Sequence, residues 1–271
     1  MQQIELICSD CLKGMNKLEP RSVDLVVTSP PYFCGKEYED KYKTLYGYEL
    51  YVNFLLDVFD KVYWLLKPGG HLWINIDDSH TSLKSEFKKS VVLPTHALLI
   101  SHLYTYYDYK ELVLWRKIRS HHASGGARRL LGSYGRFCSP GAIPIIGECE
   151  YVLWFKKPGK RTDVTDEMRK ASALTKQEFI DYGRQIWEIA PARAKKIGHP
   201  APFPVELVTR IIKLSTFVND LVLDPFIGSG TTALACLQTN RRCIGFDKEA
   251  KYIELAEQRI KEWQENNVQT S

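Results

Sequence analysis

Short runs of hydrophobic residues recur along the chain and predict β-strands. Such runs, when bounded by turn-forming residues, are typical of strands buried within a sheet. The predicted strands are Ile4–Cys8, Val23–Thr28, His71–Ile76, Leu221–Leu223 and Cys243–Phe246.

Segments with helical hydrophobic spacing alternate with these strands. The first of them stops at Lys67-Pro68-Gly69-Gly70, because this turn cannot continue a helix. Alternating strands and helices predict an α/β fold in which helices cover both faces of a largely parallel sheet. The predicted helices are Tyr48–Leu66, Val91–Leu103, Pro204–Thr216, Thr231–Gln238 and Tyr252–Trp263.

Two further runs depart from this alternation and predict an antiparallel hairpin. Glu111–Trp115 and Tyr151–Phe155 are rich in β-forming residues, and a basic segment, 117–149, lies between them. Residues 157–196 are polar and charged, so we expect a connection with a helical stretch near 175–183.

The composition indicates a globular chain. Of its 271 residues, 44% are hydrophobic and 25% charged, which provides ample material for a core. No apolar run approaches the roughly 18 residues of a membrane span, and the first residues lack the basic flank and apolar stretch of a signal peptide. We therefore expect a soluble intracellular protein.

The cysteines favour a reducing compartment over a disulfide framework, since they are odd in number and scattered. Cys8 and Cys11 form a C-x-x-C, but a zinc site needs a second close pair, and His121 and His122 are adjacent and poorly spaced for chelation. We interpret the motif as a coincidence and expect no metal. The seven cysteines are 8, 11, 34, 138, 149, 236 and 243.

Positive charge is concentrated in one stretch. The whole chain carries +5, whereas Lys110 to Arg136 holds seven basic residues and one acid, Glu111, or 7 − 1 = +6. Basic side chains neutralise phosphates, and arginine also binds guanine edges. A solvated basic loop is the alternative, so this stretch becomes a nucleic-acid candidate only beside a nucleic-acid site. The candidate contacts are Arg116, Lys117, Arg119, His121, His122, Arg128, Arg129 and Arg136.

A glycine-rich turn, Asp224–Ala233, joins a predicted strand to a predicted helix. Glycines allow close backbone approach to a ligand, and the helix N-terminus offers free N–H groups. The spacing Gly228-x-Gly230-x-x-Ala233 nominally matches a dinucleotide fingerprint, so a nicotinamide-dependent enzyme remains an alternative. A phosphate-binding P-loop is disfavoured, because the turn has no Gly-Lys-Ser/Thr. The carboxylate of Asp224 favours a cationic ligand such as S-adenosylmethionine, and Asp247 ends the next strand, where an acid accepts hydrogen bonds from ribose hydroxyls.

A second turn, Thr28–Tyr32, also ends a predicted strand. Its two prolines fix the backbone and remove two N–H donors, while Tyr32 supplies a ring that can stack on a base. Ser29 Oγ and the Pro30 carbonyl can accept both protons of an exocyclic amino group, which favours a tetrahedral nitrogen able to attack a methyl sulfonium in line. A rigid turn without function is the alternative.

With both turns in one chain, the sequence resembles the amino-methylating DNA methyltransferases of restriction-modification systems, in their permuted beta arrangement. The resemblance covers most of the chain outside roughly 117–149 and 157–185. The motifs that carry it are the catalytic motif Thr28–Tyr32, the helix-to-strand turn Leu66–Trp73, the segment His199–Pro204 that closes over the methionine part of the cofactor, the cofactor loop Asp224–Thr232 and the ribose-binding strand Cys243–Asp247.

This resemblance implies the Rossmann-like fold of S-adenosylmethionine-dependent methyltransferases, mostly parallel with an antiparallel hairpin and circularly permuted. In the permuted arrangement, the strand Ile4–Cys8 lies next to the Asp247 strand in the sheet, and Asp10 is thereby brought to the adenine of the cofactor. Residues 1–271 then form one catalytic domain, and 117–149 is its inserted target-recognition segment. The implied catalytic residues are Ser29, Pro30, Pro31 and Tyr32. The implied cofactor-binding residues are Asp10, His199, Pro200, Phe203, Asp224, Pro225, Phe226, Gly228, Ser229, Gly230, Thr231, Thr232 and Asp247.

The implied activity is site-specific transfer of the methyl group of S-adenosyl-L-methionine to N4 of a cytosine flipped out of double-stranded DNA. Within the family Ser-Pro-Pro-Tyr is usual for cytosine N4 and Asp-Pro-Pro-Tyr for adenine N6, so Ser29 favours cytosine, with adenine as the alternative. Carbon-5 methylation is disfavoured, because it needs a cysteine nucleophile, typically after proline, and the chain has no Pro-Cys.

Other residues near these motifs have simpler interpretations. We expect Phe33 and Tyr38 to pack in the core rather than line the base pocket, and Asp77, Asp78 and His80 to be structural or DNA-facing.

Three other classes predict different behaviour. An RNA or protein amino-methyltransferase fits the Pro-Pro turn but not the permuted order with its basic insertion. A nicotinamide oxidoreductase fits the glycine spacing alone, and a non-enzymatic DNA-binding module explains the basic stretch but neither turn. The favoured class implies a cytoplasmic, nucleoid-associated prokaryotic protein that binds double-stranded DNA. It leaves open whether a cognate restriction endonuclease accompanies the protein and whether the protein forms a homodimer.

Overall fold

The computed structural model describes residues 3–33, 45–80, 91–118, 147–192 and 203–268. The first part of the chain contains β1 (Ile4–Cys8), α1 (Cys11–Met15), β2 (Val23–Thr28), α2 (Leu45–Leu65), β3 (Leu66–Ile76), β4 (Ser79–His80), β5 (Val92–Leu93), α3 (Thr95–Leu103) and β6 (Asp108–Lys117). The second part contains β7 (Cys149–Lys156), α4 (Asp166–Ala171), α5 (Lys176–Tyr182), β8 (Ile186–Ile189), α6 (Val205–Ser215), β9 (Leu221–Asp224), α7 (Thr231–Gln238), β10 (Arg242–Asp247) and α8 (Ala250–Val268).

Eight of these strands form one sheet in the order β1-β10-β9-β2-β3-β7-β6-β8. Neighbours from β1 to β3 are parallel, β7 is antiparallel to both β3 and β6, and β8 runs parallel to β6. The α/β fold with a mostly parallel sheet and an antiparallel hairpin is confirmed. The predicted place of Ile4–Cys8 beside the Asp247 strand is confirmed as well.

Helices cover both faces of the sheet, as predicted, and the two faces bury separate hydrophobic cores. Residues of α1, α2 and α3 form one core, and residues of α6, α7 and α8 form the other. Alternate residues of β2 serve the two cores, because Val26 belongs to the first and Leu25 and Val27 to the second. The apolar run Leu25–Val27 of this central strand results from burial on both faces.

Two predicted elements differ in the structure. The helix predicted from Val91 begins at Thr95, because a residue before proline is restricted to extended backbone, and Val92 and Leu93 instead pair with Ser79 and His80. The strand predicted from His71 begins at Leu66, since Gly69 and Gly70 exchange backbone hydrogen bonds with Lys157.

The connection 157–196 contains more structure than expected. The predicted helical stretch is present as α5, and α4 precedes it; Thr165 and Thr175 cap the two helices with their side chains. Strand β8 was not predicted, because four residues with alternating burial give little sequence pattern. None of the helices in the described ranges combines the length and apolarity that a bilayer crossing requires.

Candidate active site

The two turns meet because their strands are neighbours. Strands β2 and β9 are parallel, with Val26 opposite Leu223, so Thr28 and Asp224 end the two strands side by side. The turns that follow therefore open at the same carboxyl edge of the sheet, where ligands bind in open α/β folds.

The side chain of Asp224 connects these turns from inside the protein. It is fully buried and accepts hydrogen bonds from Thr28 Oγ1 and Thr232 Oγ1, both at 2.6 Å, and from the Phe226 N–H at 3.0 Å. Burial raises the pKa of this carboxyl to about 6. Asp224 thus ties the serine turn to the glycine turn, and its carboxylate is directed into the interior of the protein.

The glycine turn places its backbone beside β10. Gly228 and Gly230 have φ values of +49° and +77°, a region that L side chains rarely adopt. The Gly228 N–H donates to Asp247 Oδ2 at 3.2 Å, and the Ile227 N–H donates to the Phe246 carbonyl at 2.9 Å. Helix α7 starts directly after the turn at Thr231, with its first N–H groups at this edge.

Acidic groups from two further strands reach the same edge. Asp247 ends β10, and Cys8, the last residue of β1, lies opposite it in the parallel register. Asp10 follows two residues later and caps α1 through the Lys13 N–H at 3.1 Å. Burial raises the pKa of Asp247 above its ordinary value, while hydrogen bonds from the Glu249 and Gly228 N–H groups oppose this shift.

On the other side of Asp224, the serine turn is held by a network of polar side chains. Ser29 Oγ donates to Tyr32 Oη at 3.3 Å, and Tyr32 Oη donates to Glu150 Oε2 at 2.8 Å. The Asn75 amide donates to Tyr32 Oη and to Glu150 Oε2, both at 2.8 Å, and lies 3.4 Å from Ser29 Oγ. Tyr51 Oη donates to the Pro31 carbonyl at 2.9 Å, so the backbone of the turn is held as well.

This network includes one residue that was expected to contact DNA. Lys117 forms an ion pair with the buried carboxylate of Glu150, and its ammonium lies over the Trp115 ring at 5.4 Å from the centroid. Its charge is therefore directed towards Glu150 and the serine turn. Arg116 is half-exposed and pairs with Glu188 at 3.0 Å.

The remaining predicted residues divide into three groups. Pro225, Ser229, Thr231 and Thr232 are buried within the glycine turn and the start of α7, and Phe226 packs edge-on against Phe54. Phe203 is buried in the second core, and Phe33 packs against Tyr48 and Tyr51, as expected for a core residue. Outside the described residues lie Tyr38, Arg119, His121, His122, Arg128, Arg129, Arg136, His199 and Pro200.

The acidic pair after β3 has contacts within the protein. Asp78 Oδ1 lies 2.7 Å from His96 Nδ1, and the His96 ring stacks on Tyr151. The pKa of Asp77 is raised by burial and by the nearby charge of Glu150. These contacts support the structural interpretation of Asp78.

Sequence reasoning missed three residues of the site: Asn75, Glu150 and Arg259. Asn75 and Glu150 lie at strand ends facing the serine turn, and Arg259 of α8 donates to the carbonyl and to the hydroxyl of Ser229. A polar residue inside the apolar run Leu72–Ile76 was the signal available for Asn75. Neither Glu150 nor Arg259 has such a signal, because their partners are distant in sequence.

The residues at this edge fit S-adenosyl-L-methionine. Asp247 and Asp10 lie at the ends of adjacent strands, where carboxylates can accept hydrogen bonds from hydroxyl and amino groups, and the glycine turn brings a backbone without bulky side chains beside them. The serine turn lies next to them, at the end of the neighbouring strand β2.

Comparison with known proteins agrees with this geometry. Residues 23–258 match the N6/N4 methyltransferase family model, described as DNA methylase. The type II methyltransferase M.MjaI of Methanocaldococcus jannaschii is 31% identical over 94% of this chain and 90% of its own length. M.BglI of Bacillus subtilis, also a type II methyltransferase, is 30% identical over 93% of this chain and 84% of its own length.

Solved structures share the fold. TTHA0409 of Thermus thermophilus, crystallised with S-adenosyl-L-methionine, superposes with a TM-score of 0.76 at 33% identity, covering 94% of this chain and 92% of its own. The cytosine-N4-specific PvuII DNA methyltransferase superposes with a TM-score of 0.69 at 19% identity, covering 94% of this chain and 86% of its own. The chain therefore belongs to the N6/N4 DNA methylase family, the S-adenosyl-L-methionine-dependent methyltransferases of type II restriction-modification systems.

Proposed function

We propose that this protein transfers the methyl group of S-adenosyl-L-methionine to N4 of a specific cytosine flipped out of double-stranded DNA. The observation that carries the proposal is the shared carboxylate of Asp224, which holds the Ser29 turn and the glycine turn at one edge of the sheet. Two turns with separate tasks, nucleophile positioning and methyl-donor binding, have to be held in a fixed relation for in-line transfer.

The methyl donor supplies a sulfonium-bound methyl group. We assign its ribose hydroxyls to Asp247, its adenine to Asp10 and its methionine part to the glycine turn and the segment that contains His199, Pro200 and Phe203. The backbone of Gly228, Ser229 and Gly230 approaches it most closely. Asp224, Pro225, Thr231 and Thr232 hold that backbone in place from behind, and Phe226 completes the turn.

Ser29 and Pro30 act on the target nitrogen. Ser29 Oγ and the Pro30 carbonyl accept hydrogen bonds from the two N–H groups of the amino nitrogen, which concentrates the lone pair on the nitrogen. The nitrogen then bonds to the methyl carbon, the carbon–sulfur bond breaks with its electron pair going to sulfur, and one amino proton leaves to water. Pro31 keeps the turn rigid, and the Tyr32 ring stacks on the flipped base.

The choice of cytosine rests on Ser29, because serine is the usual first residue of this turn in cytosine-N4 enzymes and aspartate in adenine-N6 enzymes. We assign residues 1–271 to one catalytic domain and 117–149 to target recognition. Within that segment DNA contacts are assigned to Arg119, His121, His122, Arg128, Arg129 and Arg136, with Arg116 at its border.

The test is incubation of the purified protein with unmethylated genomic DNA and isotope-labelled S-adenosyl-L-methionine, followed by mass spectrometry of the nucleosides. Labelled N4-methylcytosine supports the proposal. Labelled N6-methyladenine contradicts the assignment from Ser29 but retains the cofactor site and the role of the turn. Cofactor binding without label in DNA contradicts the proposal and directs the search to RNA or protein substrates.

A further inference from the structure

The hydrogen bonds that connect Ser29, Tyr32 and Glu150 have a defined direction from donor to acceptor. Tyr32 has one hydroxyl proton, and a carboxylate oxygen only accepts, so the 2.8 Å contact between Tyr32 Oη and Glu150 Oε2 uses the tyrosine proton. The Tyr32 oxygen is then left as an acceptor. Ser29 Oγ, 3.3 Å away, donates its own proton to that oxygen.

Asn75 supports the same direction from the side. Its amide nitrogen lies 2.8 Å from both Tyr32 Oη and Glu150 Oε2, and a carboxylate tolerates only a donor at that distance. The amide therefore donates to the tyrosine oxygen and occupies another of its acceptor positions. Burial and the charge of Glu150 raise the pKa of Tyr32 well above its ordinary value, so the tyrosine keeps the proton that it donates.

Lys117 completes the arrangement. Glu150 is only 6% exposed, and a buried carboxylate needs a counter-charge. The Lys117 ammonium supplies it at Oε1, on the opposite oxygen from the one that faces Tyr32. Oε2 is thereby left to accept from Tyr32 and Asn75.

From this geometry we infer that Glu150 is a positioning residue, which acts through the Tyr32 hydroxyl to turn the Ser29 proton away from the target base. The Asn75 amide lies 3.4 Å from Ser29 Oγ, so one lone pair of that oxygen remains to accept a hydrogen bond from the amino group of the target base. The inference rests on the proposed function, since it needs Ser29 to be an acceptor. It adds Glu150, with Asn75 and Lys117 behind it, to the residues on which turnover depends.

The experiment compares Glu150→Gln, Tyr32→Phe and the double variant. The glutamine keeps the shape but removes the acceptor-only oxygen, and the phenylalanine keeps the stacking ring but removes the hydroxyl. We expect each single variant to lower kcat at least about tenfold, with the dissociation constant for S-adenosyl-L-methionine within about twofold of the parent. The double variant is expected to be no slower than the slower single variant, because both changes break the same chain of hydrogen bonds.

Glu265→Gln is the matched control. Glu265 lies in α8, is exposed and has its carboxylate 3.9 Å from Lys261, so its replacement removes the same charge without touching Tyr32 or the target-recognition segment. We expect its kcat to equal that of the parent. Additive losses in the double variant would overturn the inference, because a residue that only supports the fold acts independently of the Tyr32 hydroxyl.

The two proposals fail separately. Full activity of Ser29→Ala refutes the acceptor role of Ser29 and with it the proposed function of the turn. Loss of turnover in Ser29→Ala together with a parental kcat in Glu150→Gln refutes the inference about Glu150 and leaves the proposed function of the turn intact. If thermal unfolding shows that Glu150→Gln does not fold, Tyr32→Phe provides the test, because it leaves the Lys117–Glu150 pair in place. A tenfold lower kcat of Tyr32→Phe then supports the inference, and a parental kcat overturns it.

Discussion

Replacement of Asp224 by asparagine should change how the stability of the protein depends on pH. The carboxyl is fully buried, and its pKa is raised to about 6 from an ordinary value of 3.8. The folded state therefore binds this proton more tightly than the unfolded state does. Stability from this group is fully present below about pH 4 and is lost as the pH rises through about 6.

The size of the effect follows from the two pKa values. Their difference of 2.2, taken between about 6 and 3.8, corresponds to about 3 kcal/mol at about 1.36 kcal/mol per pKa unit. Most of this change falls between about pH 4 and pH 7. The asparagine does not titrate, so the free energy of unfolding of Asp224→Asn, relative to the parent, should rise by about 2 to 3 kcal/mol over that interval.

Urea unfolding at pH 4, 5, 6 and 7 measures this difference directly. The amide loses part of the hydrogen bonding to Thr28, Thr232 and Phe226, but that loss is an offset common to all pH values. Asp163→Asn is the control: Arg161 and Lys67 hold the pKa of Asp163 below its ordinary value of 3.8, so the stability that this group contributes is lost only below about pH 4, and its difference from the parent should stay nearly constant between pH 4 and pH 7. If the free energies of unfolding of the parent and of Asp224→Asn changed with pH in parallel, the reasoning would be refuted.

Three further outcomes are expected. Ser29→Ala should bind S-adenosyl-L-methionine in calorimetry with the affinity of the parent. Its single-turnover rate should fall about a hundredfold, because one preorganised hydrogen bond to the reacting group is lost, and a parental rate would contradict this prediction. Asp224→Ala should lose measurable cofactor affinity in equilibrium dialysis, because three donors from the two turns lose their common acceptor; parental affinity would show that the turns hold their shape alone. Gly230→Ala should lower the free energy of unfolding by about 1–3 kcal/mol, because φ at this position is +77° and the added methyl group would lie 2.7 Å from Ala256 Cβ. Thermal denaturation measures this loss, and an unchanged melting temperature would contradict the close packing.

The central strands and the helices between them could be predicted from the sequence because both faces of the sheet are buried. An apolar run such as Leu25–Val27 is typical of a strand with cores on both sides. Elements at the rim could not be predicted in this way. Strand β8 and the short pair β4 and β5 have few residues, and their pairing depends on partners distant in the sequence.

The chemistry within each turn was available from the sequence for a local reason. Proline restricts the backbone at Pro30 and Pro31, and glycine permits the positive φ values at Gly228 and Gly230, so each turn carries its conformation in its own residues. The sequence by itself determined the α/β class, both turns and the acidic residue that ends β10.

Only the tertiary structure decided how these parts act together. The order and register of the strands bring Glu150 within hydrogen-bonding distance of Tyr32, 118 positions earlier, and Asp224 within 2.6 Å of Thr28, 196 positions earlier. Burial then changes what each group does: the carboxylate of Asp224, expected to face a ligand, instead holds the two turns together, and the ammonium of Lys117, expected to face DNA, is paired with Glu150. Neither contact follows from sequence spacing, because a buried charge takes its role from the partners that the fold places around it.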